Sequence, residues 1–171
     1  MWQRVLANPY HPHLIVIDPR KTETAMAATE HVANKPKSDL TLLYGIANLL
    51  IERGWINREY IDAHTNEFDA FAQHVQSFTE YLVEKQTGIE PKQLERITRF
   101  IHEGKRVSFW WTMGVNQSYQ GTHRPSYYQF GIDDWKHGTT LYGANSITGQ
   151  CNAMGSRLFS NTTNLLEATT F

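Results

Sequence analysis

His13-Leu-Ile-Val-Ile-Asp18-Pro-Arg-Lys-Thr22 is the stretch that decides the fold. The run from His13 to Asp18 is short, apolar and rich in β-branched residues, and Asp-Pro closes it. Such a run, with no polar alternation, is the pattern of a buried strand in a parallel sheet. The turn Asp18–Thr22 then stands at the carboxyl end of that strand, the place where open α/β sheets bind ligands.

Outward from this strand the chain turns helical. Asp39 reads as the N-cap of a helix over Leu40–Arg53, whose apolar residues recur at Leu42, Leu43, Ile46, Leu49 and Leu50 before Gly54 stops it. Shorter helices are expected over Asn57–His64, Asp69–Phe78 and Thr79–Lys85. Pro91 opens another over Lys92–His102, with Leu94, Ile97, Phe100 and Ile101 on its apolar face and Gly104 at its end. Val107-Ser-Phe-Trp-Trp111 is a second strand candidate, followed by the polar turn Thr112–Gln120. Strand, turn, helices, strand and turn make an α/β protein: a parallel sheet covered by helices, with a loop-rich C-terminal third. At the other end, Met1–Ala7 reads as the end of a helix already under way, with no cap before it, so a piece of something larger is expected.

Bulk properties exclude several classes. The 171 residues are 40% hydrophobic, enough for a real core. A net charge of −1 gives no electrostatic case for nucleic acid or an anionic membrane. Cys151 is the single cysteine, so this chain alone carries no internal disulfide, Cys-ligated zinc or iron–sulfur cluster. No run reaches transmembrane length and no signal-peptide pattern opens the chain, so a cytoplasmic protein is expected. The eight histidines show no metal-ligand spacing. No GxSxG elbow, Walker loop or GxGxxG is present, and Cys151 sits between amides with no nearby histidine to activate it.

Three polar stretches remain as candidate sites. Asp18, Pro19, Arg20, Lys21 and Thr22 offer an acid, bases and a hydroxyl suited to a purine edge, a ribose or a phosphate; the alternative is a β-turn with solvated charges. Lys37-Ser38-Asp39 is first a helix cap and second a ligand contact. Met113-Gly-Val-Asn-Gln117 joins a glycine that permits close approach to two amides able to hydrogen-bond a heterocycle; its alternative is a strand-ending loop. Ser146-Ile-Thr-Gly-Gln-Cys-Asn-Ala-Met-Gly-Ser-Arg157 has no hydrophobic period, and its glycines, amides and terminal arginine suit an anion or cofactor site, or else a surface loop.

Taken in order and spacing, Val16-Ile-Asp-Pro-Arg20 with Thr22, Trp111-Thr-Met-Gly-Val-Asn-Gln117 with Gln120-Gly-Thr122, and Ile147–Arg157 resemble the molybdopterin oxidoreductases that bind the bis-molybdopterin guanine dinucleotide cofactor. GQ-x-NAMG-x-R is the discriminating segment and resembles nitrate reductases, especially the assimilatory type. The resemblance runs from about Trp2 to Leu166. It implies that Asp18–Thr22 and Lys37, Ser38 and Asp39 lie along one guanine dinucleotide arm, although Lys37 and Ser38 stand where the family has Gly-Thr. It further implies that Met113 and Gln117 contact the cofactor near the pterin. Arg157 then lies at the base of the substrate funnel, where its guanidinium orients nitrate, with Asn152 and Met154 shaping the pocket.

The same resemblance implies a [4Fe-4S] cluster and a protein ligand to molybdenum in the parent enzyme, neither carried by this chain, and an electron donor of unspecified kind. The chain is thus expected to be an internal fragment, not catalytic by itself. Residues 1–112 are expected to form part of the guanine-dinucleotide-binding domain and 113–171 the start of the adjoining cofactor and substrate-funnel domain. Two rivals stay open: a formate dehydrogenase-like molybdopterin oxidoreductase, and a non-catalytic α/β nucleotide-binding module.

One interruption breaks the resemblance. Between Gly121 and Gly143 the family has an apolar helix and turn resembling AIINLALMTGNIGRPGTG, whereas this chain places Gly and Pro there, from His123 to Tyr142. Codons allowed for His123–Tyr142, read one base later, permit TVQAIINLALMTGNMGRPCTG. Glu167-Ala-Thr-Thr-Phe171 after Leu165-Leu166 can likewise be recoded from LLGGHDF with one base lost. Compensating base losses in the coding DNA explain both, and predict non-native packing or disorder over 123–142.

Overall fold

The computed structural model describes residues 2–111 and 143–146, with Trp2 and the final four described by their backbone alone. Met113, Gln117, Asn152, Met154, Arg157 and the altered segment 123–142 lie outside the described residues.

The chain begins with the short helix α1 (Trp2–Leu6) and enters strand β1 (Ile15–Ile17), one-turn helix α2 (Glu23–Met26) and strand β2 (Glu30–Val32). The strands pair in parallel, with Ile15 opposite Glu30 and Ile17 opposite Val32. Parallel strands need a crossover of about a dozen residues or more, and residues 18–29 supply one. Thr22 starts α2: its hydroxyl accepts from the Ala25 amide at 3.3 Å.

Helix α3 (Asp39–Glu52) runs through the middle of the core. It is buried nearly all round, at Leu42, Tyr44, Ile46, Ala47, Leu49 and Leu50, which suits a helix packed on several sides. Around it lie α4 (Arg58–His64), α5 (Phe68–Val75), α6 (Glu80–Thr87) and α7 (Pro91–Glu103), with α5, α6 and α7 packing directly on it. Val83 of α6 and Leu94 and Ile97 of α7 complete the cluster, and Val32 joins β2 to it. Gly45 lets α3 and α6 approach: a methyl there would overlap the Val83 side chain. The buried hydroxyls are satisfied inside their own helices, Thr87 to the Val83 carbonyl at 2.7 Å and Thr98 to the Leu94 carbonyl at 2.8 Å.

Strand β3 (Ser108–Trp111) pairs in parallel with β4 (Gly143–Ser146), Trp111 lying opposite Ser146. The expected α/β class with parallel strands is present, and among the described residues the strands form two two-stranded ladders rather than one sheet. No helix among the described residues is long and apolar enough to cross a membrane.

Several expectations need correction. β1 is not a buried strand: Ile15 and Val16 are half-buried and Ile17 is 37% exposed, because among the described residues its ladder has one partner strand and a single-turn crossover helix. Asp39 is the first helical residue of α3, and Ser38 takes the cap position without a side-chain cap bond, its hydroxyl donating instead to the Lys35 carbonyl at 2.6 Å. α5 ends at Val75, short of Phe78, and begins after Glu67, which adopts φ 60. Ser146, read as loop, ends a strand. β2 and β4 were not anticipated from the sequence.

Candidate functional site

The parallel pairing of β1 and β2 sets the turn after Ile17 and the loop after Val32 beside one another at the same carboxyl edge. Asp18–Thr22 and the loop that leads from Val32 to Lys37–Asp39 therefore leave from neighbouring strand ends. The Asp18 amide still donates to the Val32 carbonyl at 3.1 Å, so the ladder continues to the first residue of the turn.

The turn is held by local bonds. Asp18 Oδ1 accepts from the Arg20 amide at 2.7 Å, an Asx-type turn, and the Thr22 amide donates to the Arg20 carbonyl at 3.0 Å. His31, which the sequence reading passed over, lies 2.8 Å from the Asp18 carbonyl through Nε2. A carbonyl only accepts, so that nitrogen carries the proton. Next to His31, the Glu30 carboxylate takes a bidentate bond from Arg96 of α7, with contacts of 2.6 to 3.1 Å. The Glu30 side chain is 11% exposed against 58% for Arg96. The hydrogen bond to Glu30, and then its charge, raises the Arg96 pKa against the opposing effect of desolvation. Gln93 of α7 also reaches the His31 carbonyl at 3.4 Å.

The second loop is tied to the helices. Lys35 donates its amide to the Thr87 carbonyl at 2.8 Å and its ammonium to the Lys85 carbonyl at 3.0 Å. Asn34 is 2% exposed; its Nδ2 donates to Ser38 Oγ at 3.3 Å and its Oδ1 has no partner among the described residues. Lys37 holds φ 67, the left-handed region that glycine enters freely and other side chains seldom do. That accounts physically for the glycine the family pattern has at this position.

Arg20, Lys21 and Lys37 are exposed, and none has a side-chain hydrogen bond or ion pair among the described residues. This contrasts with Arg53, Arg58, Arg96 and Arg99, each paired to a carboxylate. Three unpaired cations with Asp18 and Asp39 nearby in sequence are a donor and acceptor set that suits a nucleotide: cations for phosphates, carboxylates for a guanine edge or ribose hydroxyls. At the second ladder, the register places Trp111 and Ser146 side by side, so the segments bearing Met113–Gln117 and Asn152–Arg157 start from adjacent strand ends. Among the described residues no group of His, Cys, Asp and Glu forms a metal site.

Comparisons with known proteins identify relatives of the chain. The chain is 40% identical over 151 residues to a nitrate reductase of Synechocystis, a match covering 88% of this chain and 21% of the relative. It is 31% identical over 143 residues to formate dehydrogenase H of Escherichia coli, covering 83% of this chain and 20% of that protein. Among solved structures it superposes on acetylene hydratase from Pelobacter acetylenicus with a TM-score of 0.57 at 22% identity, over 60% of this chain and 14% of the other, a likeness of fold. No family model matches the chain. The chain belongs to the molybdopterin oxidoreductases. Within that family it aligns with enzymes named nitrate reductase and formate dehydrogenase, and spans about a fifth of their length.

Proposed function

We propose that this chain is part of a molybdenum-dependent nitrate reductase, reducing nitrate to nitrite, and that the carboxyl edge of β1 and β2 holds one guanine dinucleotide arm of its bis-molybdopterin cofactor. The observation that carries the reading is that the turn Asp18–Thr22 and the loop leading from Val32 to Lys37–Asp39 leave from adjacent parallel strand ends, with Arg20, Lys21 and Lys37 unpaired among the described residues. Arg20, Lys21 and Lys37 are positioned along the chain to meet phosphate oxygens, and Asp18, Thr22, Ser38 and Asp39 to accept or donate toward the base and ribose. Rigidity comes from the Lys35 tethers to α6 and from the contacts of α7 with Glu30 and His31.

The cofactor, when bound, supplies the oxygen-atom transfer chemistry, and the protein supplies position and charge. Met113 and Gln117 are assigned to the pterin side, Asn152 and Met154 to the pocket wall, and Arg157 to orienting nitrate through a planar guanidinium. A [4Fe-4S] cluster, a cytoplasmic location and a separate electron donor complete the proposed enzyme, with no role for nucleic acid or membrane. Two enzymes named nitrate reductase, at 40% and 35% identity, stand above formate dehydrogenase H at 31%, which supports nitrate over formate, although the assimilatory enzyme of Bacillus subtilis is 29% identical.

The test is a chimera. Residues 1–122 and 143–166 replace the corresponding stretch of the Synechocystis nitrate reductase, with the host's own residues kept between them. Nitrate reduction with a reduced dye is expected to survive and to be lost in the Arg157→Ala chimera. A folded, cofactor-loaded chimera that turns over formate but not nitrate would refute the assignment.

A further inference from the structure

Resting on that reading, we propose that His31 is a positioning residue of the dinucleotide site: its Nε2–H holds the Asp18 carbonyl and so sets the geometry of the Asp18–Thr22 turn. The bond is 2.8 Å long and links residues thirteen positions apart, joining β2 to the far end of β1. It falls where the ladder ends. The Asp18 amide is engaged with Val32, and Asp18 Oδ1 with the Arg20 amide, so the His31 bond fixes the remaining backbone group of Asp18. With both backbone groups and one carboxylate oxygen fixed, the peptide planes that aim Arg20 and Lys21 have little freedom.

His31 is itself held. Gln93 reaches its carbonyl, and its neighbour Glu30 is clamped by Arg96, so α7 sets the height of β2 beneath the turn. A line of contacts thus runs from the helical core to the turn, and His31 is its last member. Neutral imidazole with the proton on Nε2 and imidazolium both donate to the carbonyl. The device is therefore a fixed strut.

Two substitutions separate positioning from bulk. His31→Gln keeps an N–H donor near the Nε2 position, whereas His31→Leu removes it. On the 171-residue chain, calorimetric titration with guanosine diphosphate is expected to show about three- to tenfold weaker binding for His31→Leu, the range of one net hydrogen bond. The Gln variant should lie within about twofold of the parent protein. Without ligand, the Arg20 and Lys21 amide resonances should move in His31→Leu and return in His31→Gln. Unmoved resonances in His31→Leu would overturn the strut whether or not nucleotide binds. Equal weakening in both variants would overturn it too. Failure of the parent chain to bind, with the resonances behaving as stated, would instead count against the nucleotide reading alone.

Discussion

In the helical block the large side chains of Leu42, Ile46, Leu94 and Ile97 are shielded from water and the buried hydroxyls of Thr87 and Thr98 are bonded. In the turn after β1 and the loop after β2, Arg20, Lys21 and Lys37 stand exposed with no charge partner among the described residues, and Lys37 keeps a left-handed backbone. The two regions lie next to each other in the chain and are built to different ends. Where side chains are buried against one another, a substitution registers as lost stability. Where exposed groups are left unpaired on a rigid support, as at the proposed dinucleotide site, a substitution is expected to register as lost affinity.

That separation can be broken in a graded way. Leu42→Ala should have the largest effect, about 2–5 kcal/mol of unfolding free energy by urea titration, from lost burial plus a cavity at the centre of the block. Nucleotide affinity per folded molecule should stay within about twofold. Gly45→Ala sets a helix-propensity gain of up to about 1 kcal/mol against overpacking of about 1–3 kcal/mol. The side chain it would strike, Val83, is fully buried, so a net loss of roughly 1–2 kcal/mol is expected in the same titration.

Lys37→Gly sharpens the contrast, because its two effects run in opposite directions. Relief of the left-handed backbone should stabilise the protein by about 0.5–1 kcal/mol, while loss of the cation weakens guanosine diphosphate binding several-fold. Destabilisation together with unchanged affinity would mean that Lys37 serves the fold and not a ligand. Arg20→Ala should shift stability least, within roughly 0.5 kcal/mol. It should still weaken nucleotide binding and flatten the dependence of affinity on salt.

The helices were legible because hydrophobic spacing and caps agree along them. Asn57 and Thr79 cap α4 and α6 through their side chains, Pro91 opens α7, and Gly54 follows α3 with φ 65. β2 was not legible: Glu30-His31-Val32 is three residues with two polar side chains, and only pairing with β1 makes it a strand. β4 was hidden for the same reason, since Gly143-Ala-Asn-Ser146 carries no β-branched or aromatic residue. At the candidate site, Asp18–Thr22 and Lys37–Asp39 are each legible as polar stretches, but that the loops bearing them leave from adjacent strand ends required β2. His31 gave no signal, because a histidine whose ring meets a main-chain carbonyl belongs to no spacing pattern.

The coding nucleotides offer a separate check on the interruption at His123–Tyr142. Read one base later, they should encode the apolar helix of the family, and a frame that does not would remove the explanation by base loss.

The most direct test of the central claim is an amide chemical-shift titration of the 171-residue chain with guanosine diphosphate. Saturable shifts should concentrate at Asp18, Arg20, Lys21, Thr22, Lys37, Ser38 and Asp39, with the amides of α3 from Leu42 onward and of α7 little changed. No saturable shift at these residues, or the same shifts with adenosine diphosphate at equal affinity, would contradict a guanine dinucleotide site at this strand edge.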